Sequence, residues 1–182
     1  MITTSTGGLL MALLAKDCPW QQIVDIAYDR WQDHDRDVRQ QLDRGEITSQ
    51  QARQMMWSFS DLLASCTKAE REALVLGKLN QQIENGGIRQ WIDNGYAHDS
   101  VNILAELMPR VGAASQRVWD KLSKYLSDWM VDGELAYSYQ MNPDDLDAAT
   151  DAADHFDDWF YGMSDVWHRE VYSYIAGLTV SK

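Results

Sequence analysis

The residues best placed to do chemistry in this 182-residue sequence are carboxylates, and their arrangement suits binding rather than turnover. Acids recur at Asp144, Asp147, Asp151, Asp154 and Asp158, three or four positions apart, so a helix over this stretch carries them along one face. At ~1.5 Å rise per residue the charges stand ~5 Å apart, against about 3.4 Å per phosphate along one strand of duplex DNA. Asp128, Asp132, Glu134, Asp145, Asp157 and Asp165 supply further charge nearby. Together these acids form the candidate partner-binding surface.

Other chemistry finds less support. His155 follows Asp151 by four residues and His168 follows Asp165 by three, so each pair could share a helical face and ligate a transition metal. No Glu-x-x-His pair recurs, and the calcium loop with its central glycine is absent, so local hydrogen bonding is the expected role and no metal is predicted. His34, among Asp33, Asp35 and Asp37, reads as a solvated helix residue. Nucleophile elbows, phosphate loops and dinucleotide fingerprints are missing, and Gly86-Gly87 alone is too little to hold a phosphate. No enzyme and no cofactor are indicated. The eight tryptophans lack the surrounding bases that stacking on nucleic acid requires, so they read as core and interface packing.

The charge balance sharpens the point. The chain carries 28 acids and 16 lysines and arginines, a net charge of −12. Residues 128–182 hold 12 of the acids against only Arg169 and Lys182, a net of −10, while residues 1–127 are close to neutral. Such a surface repels nucleic acid and anionic membranes and attracts basic partners. An acidic block can be a disordered tail, but this one also contains Trp129, Tyr137, Tyr139, Phe156, Trp159, Phe160, Tyr161, Trp167, Tyr172 and Tyr174, and disordered acidic segments are poor in aromatics. The segment is expected to fold, aromatics inward and acids outward. An ordinary solvated acidic face is the competing reading. Like charges at i, i+4 cost a helix a few tenths of a kcal/mol each, yet no lysine or arginine interrupts residues 128–165.

The elements that must position these acids are helical. Asp17 before Pro19 opens an amphipathic run (Ile23, Ile26, Ala27, Trp31) ending near Arg44-Gly45. Thr48 with Gln51 forms a capping box for a helix through Leu63, and Thr67 with Glu70 forms another for a helix ending at Asn85-Gly86-Gly87. A short turn over 88–94 stops at Gly95. Asp99 or Ser100 caps a helix broken by Pro109 and Gly112, and a helix from about Ala113 ends near Asp132-Gly133. Asn142-Pro143 opens the acidic helix, with apolar positions Leu146, Ala149, Ala153, Phe156, Phe160 and Met163, a stop at Gly162 and a last helix over 164–177. No strand is expected. The fold class is all-α: a single compact multi-helix domain, with an N-terminal helical region over 1–66 and a helical core over 67–182.

Cys18 and Cys66 make no metal-ligand pair and read as reduced intracellular thiols. The apolar run Leu9–Leu14 has no basic residue before it and is too short for a signal core or a membrane span. A short packed helix and a cytoplasmic location are expected.

The stretch Leu79-Asn80, Glu84-Asn85-Gly86-Gly87-Ile88, Gln90-Trp91, Asn94-Gly95, then Ala105, Leu107, Val111, Gly112 and Ala113 resembles the hallmark of a helical family whose best-known member is a bacterial DNA mimic of the DMP type. The resemblance implies an all-helical fold, often dimeric, with Asn85, Gly86, Gly87, Gln90 and Asn94 as scaffold residues fixing a helix break. It also implies that surface acids bind a DNA-binding regulator. On this reading the protein is a DNA mimic that blocks a basic DNA-binding protein, such as a transcription factor, a nucleoid protein or a host-defence nuclease. An immunity or antitoxin protein against a basic toxin is the alternative.

Overall fold

A computed structural model describes residues 19–180 of the chain. The Asp17 cap, the run Leu9–Leu14 and Cys18 lie outside the described residues. Within them the chain forms seven α-helices: α1 Pro19–Asp43, α2 Ser49–Met55, α3 Phe59–Ser65, α4 Lys68–Asp93, α5 Tyr96–Val111, α6 Ala113–Ser127 and α7 Pro143–Val180. The fold is all-α. α4, α5, α6 and α7 each pack against the next, α7 closes the ring against α4, and α1 lies across α4 and α7. The shared core holds Trp91, Trp129, Trp167, Phe156 and Phe160, all buried, and extends to Ala27 of α1 and to Phe59, Leu62 and Leu63 of α3.

Local signals set most boundaries. The Thr48–Gln51 and Thr67–Glu70 capping boxes both form, each hydroxyl accepting from the N3 amide and each N3 side chain accepting from the cap. The single helix expected from Thr48 to Leu63 is instead two. Met56 and Ser58 are extended, and Ser58 builds its own capping box with Asp61, donating its amide at 2.8 Å and accepting from the Asp61 amide at 3.1 Å. α1 ends as expected, with Gly45 left-handed at φ 70°.

Four other boundaries differ from expectation; α6 ends at Ser127, short of the expected stop near Asp132-Gly133. α5 starts at Tyr96, directly after the left-handed Gly95, rather than at an Asp99 or Ser100 cap; the Ser100 hydroxyl bonds back to the Tyr96 carbonyl. Pro109 is carried inside the last turn of α5, so the break falls at Gly112 alone. α7 does not stop at Gly162 but runs 38 residues without interruption. Its buried positions, Phe156, Phe160, Trp167, Val171 and Ile175, keep helical phase across that glycine. Burying this stripe outweighs the ~1 kcal/mol that a mid-helix glycine costs.

One feature is strand-like after all. Met130–Val131 (β1) and Glu134–Leu135 (β2) pair antiparallel around Asp132 (φ 53°) and Gly133 (φ 86°), a two-residue turn of left-handed residues. Two residues per strand are too few to show alternation in sequence.

Candidate functional site

α7 presents different residues on opposite sides. At about 100° per residue, Asp144, Asp147, Asp151, Asp154, Asp158 and Asp165 fall within an arc of about 80°, roughly opposite the buried stripe. All six are exposed. Because the helix continues through Gly162, Asp165 joins the ladder, which covers residues 144–165, or about 32 Å at ~1.5 Å per residue. That is close to one turn of B-form DNA, about 34 Å.

Neighbouring charge decides what such a face can do. Several acids in the first two thirds of the chain are paired with arginines: Arg30–Glu70 at 2.9 Å, Arg36–Asp33 at 2.7 Å, Arg89–Asp93 at 3.4 Å and Arg110–Glu72 at 2.6 Å. Among the described residues, no lysine or arginine forms a salt bridge with any acid of the ladder. Asp145 is exposed on another side of α7 and holds the Asn142 side chain, which in turn caps the helix by accepting from the Asp145 amide at 3.0 Å. Asp128, Asp132 and Glu134 are exposed too, at the end of α6 and on the hairpin.

Asp157 departs from the expected surface. It is half-buried, and its carboxylate accepts the Ile88 amide at 2.9 and 3.3 Å. Ile88 is the first residue after the break in α4, where Gly86 and Gly87 leave helical conformation, so its amide has no carbonyl one turn back to bond. One turn along α7, the Tyr161 hydroxyl donates to the Ile83 carbonyl at 2.8 Å, on the other side of the same break. Asp157 and Tyr161 thus clamp the kink from both ends. Behind it, buried Gln82 accepts from Gln90 (3.0 Å) and Asn94 (2.6 Å), which ties the two halves of α4 together. Glu170 plays the same part for α6: its carboxylate accepts the Ala114 and Ser115 amides, both at 2.9 Å, where Gly112 offers no side-chain cap. Two of the twelve acids in the acidic third are therefore structural caps, donated across the core.

Burial pushes the Asp157 carboxyl up to about 6; the Ile88 amide opposes the rise and Asp154 and Asp158 add to it. A folded carboxyl titrating near 6 holds a proton that the unfolded chain, at about 3.9, has already released. Asp157 therefore makes stability fall as pH rises from about 4 to about 6. Asp157→Asn keeps an acceptor oxygen and removes the titration. The variant is expected to lose that downward slope, and to gain on the wild type as pH rises through the window. Urea melts at pH 4, 5, 6 and 7 check this, and parallel pH profiles for the two proteins would exclude it.

The histidines serve local contacts. His155 Nδ1 bonds the Asp151 carbonyl at 2.6 Å, and half-buried His168 bonds Asn80 and lies 3.5 Å from Glu84. His34 is not solvated as expected but stacks on Trp57 at 4.4 Å and bonds the Met55 carbonyl. Among the described residues no three His, Cys, Asp or Glu side chains are grouped to hold a metal. The Cys66 thiol is buried, and burial raises its pKa.

The aromatics of the acidic third are not all inward. Trp129, Phe156, Phe160 and Trp167 are, but Tyr161 and Tyr172 are exposed and Tyr139 is 80% exposed. Tyr139, expected inward with the other aromatics, is instead a surface feature. The available signal was its place between Ser138 and Gln140 just after the hairpin, outside any apolar stripe.

A family model described as DMP19-like protein matches residues 64–177. No curated protein and no solved structure matches the chain.

Proposed function

The chain belongs to the DMP19-like protein family, and on that premise we propose that it is a DNA mimic, a binding protein rather than an enzyme. Its acidic face occupies the DNA-binding site of a basic transcription regulator, nucleoid protein or host-defence nuclease and inhibits it. The observation that carries this reading is the ladder from Asp144 to Asp165: six exposed carboxylates on one continuous helix, with no lysine or arginine paired to them among the described residues. An unneutralised row about as long as one DNA turn offers a phosphate-contacting protein the charge that it ordinarily meets. The other exposed acids, Asp128, Asp132, Glu134 and Asp145, extend the field. Among the described residues no helix is long and apolar enough to cross a membrane. A cytoplasmic protein, able to pair into a homodimer, completes the proposal.

The test replaces Asp147, Asp151, Asp154 and Asp158 together with asparagine. At about 0.2–1 kcal/mol per exposed charge pair, the four changes should weaken partner binding by about 4-fold to 1000-fold while leaving the fold intact. Partners are captured from host lysate at low and high salt, with duplex DNA as competitor. Recovery of a DNA-binding protein that DNA displaces supports the mimic. Undiminished capture by the quadruple variant sinks it, and a captured basic partner that DNA cannot displace points to the toxin-neutralising alternative.

A further inference from the structure

Three rings stack outward from the body of the protein next to the acidic helix. His98 of α5 lies 4.0 Å from Tyr137 at an interplanar angle of 15°, and Tyr137 lies 5.3 Å from Tyr139 at 12°. The inner end is fixed, with His98 Nε2 bonded to the Leu135 carbonyl at 3.0 Å. The outer end is held as well, on the short turn Ser138–Gln140. The Ser138 amide and hydroxyl both donate to Asp93 of α4, at 2.9 and 2.6 Å, and the Gln140 side chain accepts the Tyr137 amide at 2.8 Å. Arg89 bonds Ser138 at 3.1 Å from the same helix. Tyr139 is nonetheless 80% exposed. A side chain this exposed gains little from packing, yet the turn that carries it is pinned to α4 and one of its faces is backed by a parallel ring.

We propose that the open face of Tyr139 is a stacking platform for an arginine guanidinium of a basic protein partner. The inference rests on the acidic-surface reading above and names one contact within it. A tyrosine face is the negative side of the ring quadrupole and attracts a cation. The chain flanking the turn carries the matching sign: Glu134 precedes it and Asp144 and Asp145 follow it in sequence, all exposed, while Arg89 at Ser138 is paired with Asp93. A nucleobase would also stack on such a ring, but its phosphates would meet a segment of net charge −10. Arginine suits the platform better than lysine because its planar group lies flat on the ring and sheds water more readily. A ring held in place before binding loses little rotamer freedom when the guanidinium arrives.

The experiment titrates the full chain with fluorescein-labelled deca-arginine and deca-lysine, read by anisotropy at two salt concentrations. Wild type should prefer deca-arginine by about two- to five-fold. Tyr139→Phe should keep that preference. Tyr139→Leu should reduce that preference, with a larger loss for deca-arginine than for deca-lysine, and an exposed position of this kind tolerates the change without loss of fold. If both peptides bind in a salt-dependent way with the same ratio for wild type and Tyr139→Leu, the platform is overturned while the acidic-surface reading stands. If neither peptide binds, both fall.

Discussion

Gly87→Ala should destabilise the protein by more than about 3 kcal/mol, the largest effect expected of any single-methyl addition in this fold. Gly87 has φ 78° and ψ 177°, a combination that residues with a side chain essentially never adopt. A Cβ there would also overlap the Asp157 carboxylate. Relief would require Asp157 to withdraw, and the Ile88 amide would then lose its acceptor inside the protein. Strain of about 1–3 kcal/mol and a lost hydrogen bond to a charged group, about 1.5–3 kcal/mol, fall on the same site. Urea denaturation measures the total. A midpoint within a few tenths molar of wild type would show that the break is not held as described. Gly86→Ala is the informative contrast: Gly86 has φ −173°, outside the left-handed region, and the nearest atoms to a Cβ there belong to the flexible side chain of Gln90, which can move aside.

Removing the guanidinium of Arg110 should cost about 2–3 kcal/mol for a different reason. Glu72 is 3% exposed, and its carboxylate is held by Arg110 at 2.6 Å and by the Tyr174 hydroxyl at 2.8 Å, while Arg110 also donates to Tyr174 at 2.9 Å. The triad joins α4, α5 and α7. Arg110→Met leaves a buried carboxylate with one hydroxyl and Lys68 at 4.0 Å, and the cost arises from that stranded charge. The double variant Glu72→Met/Arg110→Met removes the charge as well as its partner, and should recover to within about 1 kcal/mol of wild type. Additive losses in the double-mutant cycle would show that Arg110 acts through packing alone.

What could be read from the sequence was local. Thr48–Gln51, Thr67–Glu70 and Asn142 with Asp145 are contacts within four residues, so residue type and spacing suffice to find them. Ser58 and Asp61 carry the same signal, and only the long apolar run around them hid it. Gly162 fails for the opposite reason: a glycine in a helical run reads as a stop, whereas the buried stripe on its far side carries the helix through. The role of Asp157 was out of reach, because the amide that it serves lies 69 residues away in sequence and nothing in the local pattern separates it from Asp154 or Asp158. Glu170, bonding 55 and 56 residues back, is the same case. The ladder itself was legible because exposure follows helical period, and its extension to Asp165 needed the continuity of α7.

That continuity makes α7 a ruler. Its graduations are set by backbone hydrogen bonds rather than by the charges mounted on it, so the acids cannot slide to suit whatever approaches. A disordered tail of equal charge would mould itself to any pattern of cations and discriminate poorly among them. A rod with fixed marks instead rewards a partner whose cations already stand at matching intervals over about 32 Å, and leaves unpaired those of a partner that does not fit.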